Sequence, residues 1–253
     1  MKKITTNLLT LKNISKTYYT KEKETLAINN ISLEIPNNKI IAIVGPSGCG
    51  KSTLLNIIGS LEEKTKGEIT FSQKDIKISY MFQNDCLFPW LTILDNCLLG
   101  LKIKHKITNK DKEDTIKLLE NYGLKDFINS YPNNLSGGMT QRVALIRTLA
   151  INPDILLLDE PFSSLDFDTR LLVADDVYKI IKKEKKTAII ITHDIEEAIS
   201  IADTVIVLSK RPATIKKIIN INLTNASSPI HNRTCKEFQQ YYKTIWEVFD
   251  HEI

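Results

Sequence analysis

The apolar and polar positions divide the chain into three stretches of different character. In the first, short apolar runs dominate. Residues 9–15 and 27–35 read as strands, the second placing Ile31, Leu33 and Ile35 on one side, with Lys21-Glu22-Lys23-Glu24 as a polar hairpin-like connection. Pro36-Asn37-Asn38 is a turn, and Ile40-Ile41-Ala42-Ile43-Val44 is continuously apolar, the pattern of a strand buried on both faces. Residues 53–59 read as a short helix with an apolar face that ends near Gly59, and 67–71 and 77–82 as two further strands.

After Gln83 the period lengthens. Residues 92–101, 109–122 and 139–151 have helical spacing, with Thr108 and Asp111 as a capping box for the second helix and Gly123 as its stop. Pro132 and the Gly137-Gly138 pair interrupt the chain before the third. From Ile155 strand and helix alternate again: strands over 155–158, 187–192, 204–208 and 215–221, helices over 168–183 and 194–202. The tail from Thr234 carries Phe238, Tyr241 or Tyr242, Ile245 and Phe249 at helical spacing, which reads as a packing face. The pattern predicts an α/β fold with a mostly helical insertion over about 84–151.

Composition narrows the setting. The 253 residues, 42% hydrophobic and 25% charged, suit a globular protein with an ample core. A net charge of +4, spread along the chain, is too weak to argue for nucleic acid. Lys182-Lys183-Glu184-Lys185-Lys186 reads as a solvated helix end. No apolar run approaches a membrane span, and no signal-type segment follows Met1-Lys2-Lys3, so a cytosolic setting is expected. Cys49, Cys86, Cys97 and Cys235 show no paired spacing and are expected as reduced thiols. His105, His231 and His251 lie in polar stretches and take no role.

The candidate chemistry starts at Gly45-Pro46-Ser47-Gly48-Cys49-Gly50-Lys51-Ser52, which matches the phosphate-binding loop pattern and runs from an apolar strand into a helix at Thr53. That order aims backbone N–H groups and the positive helix end at one anion. Strand 155–158 then runs into Asp159-Glu160, two acids that are expensive to desolvate without a partner such as Mg²⁺ held on phosphates. Neighbouring strand side chains point opposite ways, so Asp159 is expected near the metal and Glu160 near an attacking water. Ser136 stands at a helix cap before Gly137 and Gly138, a second anion-binding helix end at which a ligand or another backbone comes close. Thr192-His193-Asp194 follows another apolar strand, with Asp194 and Glu197 as a capping pattern; a lone histidine there is ordinarily structural, and could also bond a phosphate. Gln83 ends its strand where an amide could reach a metal or a water.

This set resembles ABC-type ATPases, the nucleotide-binding subunits of membrane transporters, over nearly the whole chain. Leu135-Ser136-Gly137-Gly138 looks like the signature motif that sets the family apart, Gln83 its Q-loop, Ser163-Ser164-Leu165-Asp166 its D-loop and His193 its switch histidine. Lys16-Thr17-Tyr18 looks like the segment whose aromatic stacks on adenine, with Tyr19 as the adjacent alternative. Phe88-Pro89-Trp90-Leu91-Thr92, Met139 after the signature, and Ser209-Lys210-Arg211-Pro212 followed by Ile215 are similar to the nitrate/sulfonate/taurine branch of importers. That branch also takes other small organic solutes and vitamin precursors. Met139 stands where most of the family has Gln, Thr140 where the branch has a basic residue, and Ser164 where Ala or Gly is usual. None of the three removes a catalytic group.

The resemblance implies a single domain over 1–253. It comprises a P-loop NTPase core (about 1–83 and 152–222) with an N-terminal antiparallel β subdomain, a helical signature subdomain (about 84–151) and a C-terminal helix (about 234–252). It further implies that two copies pair head to tail around two ATP molecules. Tyr18 and the loop from Gly45 through Pro46, Ser47, Gly48, Cys49, Gly50, Lys51 and Ser52 to Thr53 would bind ATP in one copy. Ser136, Gly137 and Gly138 would close on it from the other. Ser52, Gln83 and Asp159 would hold Mg²⁺, with Lys51, Gln83, Glu160 and His193 as the catalytic set. The implied partners are a permease that receives the 87–90 region and, indirectly, an extracytoplasmic solute-binding protein, with the chain peripheral on the cytoplasmic face of the membrane. The alternative is a soluble ABC ATPase serving nucleic acid, ribosomes or assembly. Members acting on DNA or ribosomes usually have a second nucleotide domain or a long coiled-coil insertion, and this sequence has neither.

Overall fold

The computed structural model describes residues 7–104 and 106–250. His105, His251 and the end of the expected tail helix lie outside them. Three antiparallel strands, β1 (Asn7–Tyr19), β2 (Glu24–Pro36) and β4 (Lys66–Phe71), form one sheet in the order β2-β1-β4. The first two are longer than the apolar pattern predicts. Their inner ends pair Thr17 with Leu26 and Tyr19 with Glu24, hydrogen bonding past the last buried apolar position. Register shifts along β1, where Asn13 takes a positive φ, break the alternation that would have revealed this from sequence.

The second sheet has β3 (Ile40–Val44), β5 (Ile78–Met81), β6 (Ile155–Asp159), β7 (Thr187–Ile191), β8 (Thr204–Leu208) and β9 (Ile215–Asn220) in the order β5-β6-β7-β3-β8-β9. All neighbours are parallel except β8 and β9. Strands β3 and β7 are buried at every position, as continuous apolar runs demand. Period two sorts their side chains: Ala42, Val44, Leu156, Leu158 and Ile190 face one core, and Ile41, Ile43, Leu157, Ile189 and Ile191 the other. The second core is closed by α1 (Lys51–Ile58) and the antiparallel sheet.

Helices α2 (Ile93–Lys104), α3 (Asn109–Asn121) and α4 (Gly137–Ala150) share a small core of Ile93, Cys97, Leu119, Leu124, Val143 and Ile146. The Thr108–Asp111 capping box forms as expected. Helices α5 (Phe167–Lys183), α6 (Ile195–Ile201) and α8 (Phe238–Asp250) cover the first core, and a short α7 (Pro229–Asn232) that the sequence pattern misses lies against α5 and α6. On α8, Phe238 and Ile245 are buried, with Tyr241, Tyr242 and Phe249 packed beside them. The tail stripe is therefore a packing face. Ile245→Ala is expected to lower stability by about 2–5 kcal/mol, while Lys243→Ala on the exposed side should stay within about 0.5 kcal/mol, both read from denaturant midpoints at constant slope.

Candidate active site

Strands β5, β6, β7 and β3 are adjacent and parallel, so the residues that follow them emerge along one edge of the sheet. Ligands gather at that edge in α/β folds. A cavity of about 580 Å³ opens there, lined by Ser47, Gly48, Gly50–Thr53, Gln83, Glu160 and His193. Segments distant in sequence thus share one space.

The loop from Gly45 is shaped for close approach. Gly50 has a φ of 126°, and a Cβ there would lie 3.1 Å from the Ala27 carbonyl oxygen, so only glycine fits. Helix α1 begins at Lys51, two residues earlier than expected, with no side-chain cap and no acid in its first turn. Helices α3, α4, α5 and α6, by contrast, are capped by Thr108, Ser136, Asp166 and Asp194. The uncapped N–H end lies on the cavity, the arrangement that suits an anion. The Lys51 side chain agrees. It is 6% exposed, and its ammonium donates to the carbonyls of Gly45 (2.8 Å) and Pro46 (3.0 Å). Among the described residues no carboxylate pairs with it. A buried cation that no carboxylate bonds directly suits a phosphate. Cys49 is buried inside the loop, and burial pushes its thiol up, which leaves it inert.

The two acids separate for a different reason from the one expected. Asp159 is the last residue of β6, but Glu160 takes a positive φ of 46° and turns the chain. Strand alternation does not carry through Glu160; the left-handed turn sets its direction, pinned by its N–H to the Ile191 carbonyl at 2.9 Å. Such backbone is uncommon outside glycine and clusters at functional sites. The Asp159 carboxylate accepts from Ser52 Oγ (3.1 Å), and its other oxygen lies 3.2 Å from the Tyr80 hydroxyl. Burial pushes Asp159 up, against the pull of Ser52, Tyr80 and Lys51, and the nearby Glu160 charge adds to the rise. A cation beside it would relieve that cost. The Glu160 carboxylate is held by Gln83 Nε2 at 3.3 Å and lies 3.2 Å from His193 Nδ1.

These donors fit Mg²⁺ in one particular way. Ser52 and Asp159 offer oxygen ligands with a single carboxylate, which suits an ion that takes its other ligands from phosphates and water. No group of three His, Cys, Asp or Glu residues among those described could hold a metal alone. Gln83, expected in the same set, turns its amide nitrogen to Glu160 and, at 3.5 Å, to Ser163 Oγ. It lines the same cavity.

Of the other expected residues, Tyr18 stands beside the loop helix, its hydroxyl 3.4 Å from Thr53 Oγ1. Its ring lies under the Lys16 ammonium at 4.8 Å, and Lys16 is anchored to Glu62 at 2.5 Å. Tyr19 is 68% exposed. Ser136 caps α4 through the Met139 N–H at 3.4 Å, but Ser136, Gly137 and Gly138 do not line the cavity. Gly138 has a packing reason as well. A Cβ there would sit 2.8 Å from Thr169 Cγ2 and 3.3 Å from Val173 Cγ2, so α4 can lie on α5 only without one.

Sequence reading missed four supporting residues. Tyr80 joins Asp159 to Asn56, Gln141 donates to Ser164 at 3.2 Å, and Arg147 holds the carbonyls of Asp85 and Cys86 at 2.5 and 2.7 Å. Arg170 bonds the Leu165 carbonyl at 3.1 Å and pairs with Asp194 at 3.7 Å. All four act across elements, where no local spacing marks them. The capping pattern at α6 forms only by half. Asp194 accepts from the Glu197 N–H at 3.0 Å, but Thr192 Oγ1, not Glu197, takes the Asp194 N–H. Glu197 is 4% exposed, and burial pushes it up to about 8 despite the Thr192 bond and the nearby charges of Arg170 and Arg233.

The comparisons agree with this geometry. The ABC transporter family profile matches residues 28–163, more than half of the chain. The chain belongs to the ABC transporter family, as an ATP-binding ATPase subunit. It is 43% identical over 247 residues to the ABC transporter ATP-binding protein YtlC of Bacillus subtilis (strain 168), covering 95% of each chain. It is 36% identical over 249 residues to the aliphatic sulfonates import ATP-binding protein SsuB of Bacillus thuringiensis subsp. konkukian (strain 97-27), covering 96% of each. A solved dimeric ATP-binding cassette in a post-hydrolysis state, bound to ADP and Pi, superposes with a TM-score of 0.72 at 34% identity. It covers 85% of this chain and 99% of its own.

Glu197 makes stability depend on pH. It keeps its proton up to about pH 8 in the folded chain and up to about pH 4 in the unfolded one. The folded state then binds the extra proton across that window, so stability falls as pH rises through it. Urea midpoints should fall more steeply from pH 5 to 8 in the wild type than in Glu197→Gln; parallel curves would mean that Glu197 does not titrate there.

Proposed function

We propose that this chain is the ATP-hydrolysing subunit of an importer that takes up a small solute such as a sulfonate, taurine, nitrate or a vitamin precursor, acting as a homodimer on the cytoplasmic face of the membrane. The observation that carries it is the separation of two anion-binding ends on one chain. Lys51 and Glu160 share one cavity, whereas the Ser136–Gly138 helix end stands outside it. Two copies head to tail would bring these halves together. The full-length likeness to a sulfonate import ATP-binding protein supports the importer branch.

In this reading Lys51 and the amides of 48–52 hold the ATP phosphates in one copy, and Tyr18 stacks on the adenine. Mg²⁺ held by Ser52 and Asp159, with Gln83 nearby, would neutralise phosphate charge. Glu160 accepts a proton from water, oriented by Gln83 and His193, and Ser136 and Gly138 of the second copy close over the γ-phosphate. Phosphoryl transfer is mainly positioning and charge stabilisation, so these groups suffice without covalent chemistry. Among the described residues no helix is long and apolar enough to cross a membrane. A permease would supply the spans, and with it an extracytoplasmic binding protein would supply the solute. An apolar groove of about 330 Å³ lined by Phe82, Cys86, Phe88, Leu99, Ile103 and Ile151 is the surface on which a permease helix would rest, with Trp90 exposed close by in sequence. Arg147 lines that groove and holds the carbonyls of Asp85 and Cys86, just after Gln83 in the chain.

Glu160→Gln should keep ATP binding, lower turnover about a hundredfold or more, and accumulate an ATP-bound dimer in size-exclusion chromatography. Normal turnover would remove Glu160 from its role. Ser136→Arg should abolish hydrolysis while isolated monomers still bind ATP, and full activity would exclude a composite site. Affinity purification from membranes should bring down an integral membrane protein; RNA or DNA in its place would sink the importer reading.

A further inference from the structure

Beyond the family match that ends at residue 163 lies a polar cluster that the mechanism above does not use. Four buried side-chain polar atoms among the described residues lack a hydrogen-bond partner, and three belong to it: Glu197 Oε1, Arg170 Nε and Arg233 Nε. Glu197 sits in the first turn of α6, three residues after Asp194, and feels the charges of Arg170 on α5 and Arg233 after α7. Arg233 also pairs with Glu196.

The cluster joins two loops that meet at Glu160. On one side Arg170 binds the Leu165 carbonyl, and Ser163 Oγ binds the Glu160 carbonyl at 3.1 Å. On the other, Thr192 and Asp194 flank His193; Thr192 Oγ1 takes the Asp194 N–H at 3.1 Å, and the Asp194 carboxylate takes the Glu197 N–H at 3.0 Å. The chain over 228–233 spans both helices. Asp175 of α5 accepts from the Ile230 N–H at 3.4 Å, and buried Asn232 donates to the Ser200 carbonyl of α6 at 2.7 Å.

We propose that Arg233 and Glu197 are positioning residues for ATP hydrolysis: through them the segment 228–233 straps α5 to α6 and holds the His193 loop against Glu160. Neither side chain touches the cavity. Their effect falls on the orientation of His193, and small misplacements of a catalytic group lower the rate steeply. The proposal rests on the reading of Glu160 and His193 as hydrolytic groups.

Steady-state ATPase kinetics of the full chain test it, with binding of a fluorescent ATP analogue and denaturant stability measured alongside. Arg233→Ala should lower kcat about tenfold, leave KM for ATP and analogue affinity within about twofold, and be largely restored in Arg233→Lys. Glu196→Ala cuts the same tie from a half-exposed partner, where misfolding is not at issue, and should lower kcat in the same sense. Arg233→Ala combined with His193→Ala should be no slower than His193→Ala alone, because both changes act on one group. Unchanged kcat in Arg233→Ala and Glu196→Ala, with His193→Ala slowed, overturns the strap alone. Full turnover in His193→Ala overturns the reading beneath it. A loss in Arg233→Ala that tracks KM and stability, or that multiplies with the His193 loss, also overturns the proposal and leaves Arg233 a structural residue.

Discussion

The in-register parallel pairing of β5, β6, β7 and β3 is the constraint on which everything else depends. These strands have cores on both sides, so a slip of one residue would exchange the Leu157 and Leu158 environments and every one beside them. Fixing the register for the sake of the cores also fixes where each strand stops. Gln83, Glu160, His193 and the loop from Gly45 therefore meet without any direct sequence link. The site is a by-product of burying aliphatic side chains twice over.

Within that site charge is arranged unevenly. The buried Lys51 ammonium gives its hydrogen bonds to carbonyls, while Asp159 and Glu160 follow one another yet serve different neighbours. The left-handed turn at Glu160 allows this, and such a conformation persists only when its surroundings over-determine it. Ile191, Gln83, Ser163 and His193 all bond Glu160, and they supply that determination.

Much of this was legible in sequence. The doubly buried strands, the phosphate loop, the capping box at Thr108 and the packing face of α8 all follow from local period or spacing, and each lies where that pattern puts it. What sequence could not display is cooperation between elements. The extra length of β1 and β2 at their inner ends, over 16–19 and 24–26, rests on backbone pairing beyond the regular apolar alternation. The divergence of Asp159 and Glu160 was foreseen with the wrong cause, since a positive φ at a glutamate has no sequence mark. Tyr80, Gln141, Arg147 and Arg170 each reach another element, and Gly138, read as room for a ligand or another backbone, makes room for the side chains of Thr169 and Val173.

That last contact ties the first turn of α4 to the segment that follows Glu160. Helix α5 lies under the first turn of α4 at Gly138, and its own cap, Asp166, closes the loop that begins at Glu160. The Thr169 and Val173 side chains fill the space that a Cβ at Gly138 would need, so the two helices pack with no slack at that point. In the proposed head-to-tail pair, this one helix contact would join the half-site a chain keeps to the half-site it would lend.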